Sequence, residues 1–168
     1  MEIKWALPSN LLSASVEIMR PSGAMGNEGL ALWFGAVSSA SVDVSHVVAV
    51  HGSGFRSAPL QLRLSYRAME VLTDLSVSLG TYLIGQIHSH PGLMLDLSDV
   101  DKTYGIRCQD YLSIVCPHYA QRDLHTVHEC GVHVFDKGGY RRLSRVEIER
   151  RILKSVGLAN KIAIEVPE

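Results

Sequence analysis

The sequence predicts a mixed α/β domain built on one central, mostly antiparallel sheet with helices on its flanks. Three observations predict it. An apolar run over 29–37 is followed, after the polar stretch Ser38 to Ser41, by the alternation Val42, Val44, His46, Val48, Val50, the period-two signature of a hairpin inside a sheet. Leu64, Ala68, Val71, Leu72, Leu75 and Leu79 recur at helical spacing and form one apolar stripe. The run Tyr82 to Ile87 then reads as strand again, with no repeat, low-complexity tract or linker-like stretch anywhere in the chain. A single domain, 1–168, is expected.

Taken in order, residues 2–7 read as a short strand. Pro8-Ser9-Asn10 signals a helix start, Leu11 to Met19 is mostly apolar helix, and Pro21 is expected to end it. Residues 22–27 are loop, residues 29–37 and 42–50 the hairpin, and Gly52-Ser53-Gly54 loop again. The helix over 64–79 closes on Gly80, and the strand 82–88 follows. Ser98 caps a short helix running to about Arg107. Strands are expected over 111–116 and 124–135, then a turn at Lys137-Gly138-Gly139 and a return strand over 140–143. Ser144-Arg145-Val146-Glu147 is a capping box that opens a helix to about Val156, and Gly157 ends it. A last strand is expected over 161–166.

Composition excludes several classes. The chain is 46% hydrophobic and 20% charged, with a net charge of -1. That balance offers no bulk attraction to nucleic acid or to an anionic membrane. Apolar runs stop well short of the roughly 20 residues a bilayer requires, and the start of the chain lacks a signal peptide's basic and apolar segments. Cys108, Cys116 and Cys130 are odd in number and without Cys-x-x-Cys spacing, which points to a reducing, cytoplasmic setting and inert thiols. Arg141, Arg142, Arg145, Arg150 and Arg151, interleaved with Glu147 and Glu149, read as a solvated face.

Chemistry concentrates at His88-Ser89-His90-Pro91. In an extended strand residues i and i+2 share a face, so both imidazoles can aim at one point. Pro91 ends the strand. Ser98 and Asp101 are i and i+3 on the short helix and lie on one helix face. Two His and one carboxylate, with no fourth protein ligand nearby, is the pattern of a catalytic zinc site with an open position. Such a site needs a base and a group to steady a developing oxyanion. Glu28, at the mouth of the apolar strand, is the best candidate base. Ser98 is the hydroxyl that spacing ties to Asp101. His128 and Cys130 share one strand face while His125 and His133 share the other, so a second, structural zinc near His128, Cys130 and His133 is not expected.

The pattern His88-Ser89-His90-Pro91, six residues, Ser98, two residues, Asp101 resembles the signature of the JAMM (MPN-plus) zinc metalloproteases. Glu28 to Gly35 resembles that family's first core strand, which a catalytic Glu precedes. The resemblance spans about residues 9–145. It implies a cytidine-deaminase-like α/β fold and one Zn²⁺ per chain on His88, His90 and Asp101. It implies Glu28 as the base that activates water and passes the proton to the leaving amine, with Ser98 stabilising the oxyanion. It implies cleavage after the C-terminal glycine of a ubiquitin-like protein. Little room exists between Gly80 and Tyr140 for the insertions of eukaryotic deubiquitinating members. The chain is closer to compact bacterial members found with ubiquitin-like, E1-like and E2-like proteins, including in antiphage defence. Competing readings are a non-catalytic scaffold of the same fold and a protease that trims a sulphur-carrier protein.

Overall fold

The structure, a computed structural model, describes residues 2–167. Its strands are β1 (Lys4–Pro8), β2 (Leu30–Val37), β3 (Ser41–Gly52), β4 (Phe55–Ala58), β5 (Gln61–Leu64), β6 (Tyr82–Ser89), β7 (Leu112–Cys116), β8 (Gly131–Asp136), β9 (Gly139–Arg142), β10 (Ile152–Ser155) and β11 (Asn160–Val166). Its helices are α1 (Leu11–Ala24), α2 (Tyr66–Leu79), α3 (Asp99–Tyr104) and α4 (Arg145–Arg151). One sheet runs β10-β1-β3-β2-β6-β7-β8-β9, and β4 and β5 form a separate hairpin. The sheet is mixed. Its middle, β3-β2-β6, is antiparallel as the alternation predicts, and so is β7-β8-β9. Parallel pairing joins β6 to β7 and β1 to both β3 and β10. β3 is long enough to take β1 along Ser41–Asp43 and β11 along His46–Gly52, also in parallel.

The strand alternation divides the core between two faces. Ala31 and Trp33 of β2 join Leu11, Ala14, Val16 and Met19 of α1 on one face. Leu30, Leu32 and Phe34 join Ala68 and Leu72 of α2 on the other. Each helix offers one apolar stripe, so a sheet apolar on both faces is covered by one helix on each side. Trp33 is fully buried, and its Nε1 donates to Ser15 Oγ at 3.0 Å, which satisfies its one polar group.

Four expectations need correction. Pro21 lies inside α1, which runs to Ala24. A proline deletes one intrahelical donor, and here the loss falls in the last turns, which the bonds Met25 N to Ser22 O and Gly26 N to Gly23 O complete. The strand expected over 124–135 is confined to β8. Residues 127–129 form a 3₁₀ turn whose cap, Thr126, and Glu129 satisfy each other's backbone donors. The final helix stops at Arg151, and Ile152–Ser155 is strand β10 beside β1. Arg151 is not on a solvated face: it is buried, its Nε donates to Ile3 O at 3.0 Å, and its guanidinium stacks over the Trp5 ring at 4.4 Å.

Candidate metal centre

The middle of the sheet supplies the histidines. β2 and β6 pair antiparallel with Leu30 opposite His88, and the parallel neighbour β7 puts Val115 beside His88. Just past β6, His90 N donates to Cys116 O at 2.9 Å, which extends the pairing to the second histidine. Both side chains are buried, and their ring centroids are 4.8 Å apart.

Asp101 reaches them from α3. Ser98 caps that helix with the capping box its spacing predicts. Ser98 N and Ser98 Oγ donate to Asp101 Oδ2 at 2.8 and 2.7 Å, and Asp101 N donates back to Ser98 Oγ at 3.1 Å. The same Oδ2 lies 3.5 Å from His88 Nε2 and 3.3 Å from His90 Nε2, and the two Nε2 atoms are 3.1 Å apart. Among the described residues His88, His90 and Asp101 are the one group of three His/Cys/Asp/Glu whose ligand atoms come together as a metal site requires.

The donor set fits zinc. Bonds of 2.0–2.1 Å in a tetrahedron place ligand atoms about 3.3 Å apart, which is the spacing of these three atoms. Two imidazole nitrogens and one carboxylate oxygen converge at this distance, and a cation satisfies such a convergence. Burial alone would push the Asp101 carboxyl up, but the His88, His90 and Ser98 donors reverse this and hold it well below the usual carboxylate range. Burial pushes the His90 imidazole down, and Asp101 and Glu28 more than offset it, so the net shift is upward.

Glu28 comes to the site from the other side. Met19 of α1 presses so closely on Gly29 that a Cβ there would sit 2.6 Å from the Met19 Cβ. Gly29 N donates to Ser89 Oγ at 2.8 Å, and Ser89 N donates to Gly29 O at 3.0 Å. These contacts bring the Glu28 carboxylate, 3% exposed, to 3.6 Å from His90 Nε2. Burial is the main cause that raises its pKa to about 7, with His90 opposing and Asp101 adding to it. All five residues singled out in the sequence therefore meet around one point. Ser89 was not singled out; a small hydroxyl between two site histidines was the available signal.

A cavity of about 660 Å³ opens from Asp101 between α3 and β5, lined by Leu30, Leu62, Arg63, Leu64, Gln86 and Tyr104 among others. His51, exposed on β3, does not line it.

No protein-family model matches the chain. A protein of Sinorhizobium fredii named a "probable metalloprotease" is 25% identical over 149 residues, which are 88% of this chain and 91% of that one. The His88, His90 and Asp101 group is consistent with the metal-ligand motif that the sequence carries. A solution structure of a Desulfitobacterium hafniense protein shares the fold of this chain, with a TM-score of 0.62 at 18% identity over 94% of this chain and 95% of the other. A crystal structure of a JAB1/MPN domain protein from Archaeoglobus fulgidus aligns over 92% and 97% of the two chains, at 15% identity and a TM-score of 0.45. No helix among the described residues is long and apolar enough to cross a membrane.

Proposed function

We propose that this chain is a JAMM-type zinc metalloprotease that hydrolyses the bond following the C-terminal glycine of a ubiquitin-like protein. The carrying observation is the buried Glu28 carboxylate at 3.6 Å from a three-atom donor set with zinc spacing. His88, His90 and Asp101 would hold one Zn²⁺ per chain. Zinc bound there supplies Lewis acidity toward water and toward the scissile carbonyl.

The protein's own groups do the rest. Glu28, with a pKa near neutrality, takes a proton from the attacking water and returns it to the leaving amine as the C–N bond breaks. Ser98 Oγ, which now donates to Asp101 Oδ2, turns that proton to the oxyanion as it develops. The apolar cavity beside β5 receives the extended tail, with the hairpin edge available for strand pairing. Support for the ubiquitin-like class comes from the motif resemblance. The same resemblance suggests E1-like and E2-like partners and an antiphage conjugation pathway, and the odd, unspaced cysteines suggest a cytoplasmic setting.

The test uses zinc-loaded protein and a ubiquitin-like protein fused through its terminal glycine to a reporter. Cleavage should occur at the glycine. Glu28→Ala should abolish cleavage and keep zinc, whereas His88→Ala and Asp101→Ala should lose zinc by elemental analysis. Intact cleavage in Glu28→Ala, or full zinc occupancy in His88→Ala, would overturn the assignment. Zinc binding without cleavage of any such fusion points to a scaffold, and cleavage of a sulphur-carrier fusion alone would redefine the substrate.

A further inference from the structure

Residues His118, Tyr119 and Ala120 all have left-handed backbones, with φ of 55, 52 and 57°. Three consecutive non-glycine residues in this region are costly and persist only where the surroundings over-determine them. Here they are held from behind by α1. Gly23 leaves space for the Tyr119 carbonyl, with which a Cβ would collide. Arg20 Nε donates to Ala120 O at 3.4 Å, and Gln121 Nε2 donates to Arg20 O and Tyr119 O at 3.1 Å each.

The front of the turn donates toward the metal centre. Tyr119 N donates to His90 O at 2.8 Å, and His118 N donates to Gly92 O at 2.7 Å. The Tyr119 hydroxyl donates to Pro59 O at 2.9 Å, on the turn between β4 and β5. The residue before it, Ala58, accepts from Glu28 N at 3.0 Å. A bonded path therefore runs from the His90 backbone through Tyr119 to the hairpin turn and on to the Glu28 backbone. It runs beside the shorter link that Gly29 and Ser89 already make, and reaches Glu28 from the hairpin turn rather than from the sheet.

We propose that Tyr119 is a positioning residue: through its backbone N–H and its hydroxyl it adds a second tie, beside the Gly29–Ser89 bonds, to the spacing between Glu28 and His90. The inference rests on the roles given above to Glu28 and His90. Tyr119 touches no reacting atom, and its left-handed backbone is what lets one residue face His90 and Pro59 at once.

Tyr119→Phe keeps the ring and the backbone donor and removes only the bond to Pro59. Three quantities are measured on zinc-loaded protein: amide exchange by NMR, zinc affinity by competition, and kcat and KM on the ubiquitin-like fusion. Glu28 amide exchange should rise roughly tenfold, while the amides of His90 and of Leu112–Cys116 stay unchanged. Zinc affinity should not move, and kcat should fall by about tenfold at nearly constant KM, because a displaced base costs the chemical step. Unchanged exchange at Glu28 would overturn the proposal. So would a uniform rise in exchange across the sheet, which marks a merely structural role, or an effect on KM alone. The exchange arm needs no substrate. Faster Glu28 exchange in a chain that cleaves no fusion would sink the proposed function and leave the positioning link standing.

Discussion

One oxygen, Asp101 Oδ2, accepts two hydrogen bonds from Ser98 and also faces both histidine Nε2 atoms. Cap and candidate ligand are thus the same atom, and the cap sets where the ligand points. Ser98→Ala removes the hydroxyl and leaves the Ser98 N donor. Loss of an N-cap should cost about 1 kcal/mol of stability in metal-free protein, and loss of a group orienting a ligand should weaken zinc binding by about tenfold. Urea denaturation in chelator and a zinc competition titration read the two effects separately. Unaltered zinc affinity would mean that the backbone donor alone orients Asp101. A second residue controls the acid response. His133 is buried, which above all holds its pKa down, to about 4, with Arg142 adding to the effect and Asp96 opposing it. The unfolded chain takes up this proton near pH 6.5 and the folded chain does not, so stability from this group is complete above pH 6.5 and is lost as pH falls toward 4. The slope in that window should reach about 1.4 kcal/mol per pH unit. His133→Asn should flatten it relative to the parent chain when urea midpoints at pH 7 and pH 5 are compared.

At the scale of elements, the turn from β8 to β9 places Lys137 and Gly138 at φ of 50 and 87°. Two residues with positive φ suit the right-handed twist of a hairpin, and Asn-Gly suits them better than Lys-Gly. Lys137→Asn should raise stability by about 0.5–1 kcal/mol, seen as a higher melting temperature with activity unchanged. The elements legible in the sequence are those with a local cause. Ser98 and Ser144 each carry a capping box, Ser65 caps α2, and Gly80 closes it with a φ of 62°. The illegible ones depend on distant partners. Ile152–Ser155 is apolar enough to continue α4, but β1 has an open edge there, and Arg151 locks the junction onto Trp5. The β4–β5 hairpin is illegible because it is short: Gln61-Leu62-Arg63-Leu64 alternates, but over four residues only, and Phe55–Ala58 does not. His88 and His90 were legible from one strand period and Ser98 and Asp101 from one helix period, whereas Glu28 was legible from its place at the mouth of β2 and from the motif resemblance. The link through Tyr119 was not, because a left-handed turn of His, Tyr and Ala has no sequence signature.

For the whole molecule, the candidate ligands join parts of unequal stability. His88 lies in β6, flanked by β2 and β7 in the fully buried middle of the sheet, whereas Asp101 lies on α3, six residues long and with no buried residue. A helix of this length does not hold itself in water. Arg142 Nη1 on Asp96 Oδ1 at 2.7 Å and His118 N on Gly92 O tie down the connecting segment, but a metal ion would be the direct link from α3 to the sheet. Free zinc at a hundred times its dissociation constant should add about 2.7 kcal/mol to stability. Chelation should therefore lower the melting temperature by several degrees, and zinc should restore it. The loosening should be local, because the sheet has a buried core while α3 has no fully buried residue. Amides of residues 99–105 should lose protection on chelation, while those of β2, β6 and β7 keep theirs. An even loss across the sheet, or no shift in melting temperature, would mean that the three donor atoms do not carry the metal that joins helix to sheet.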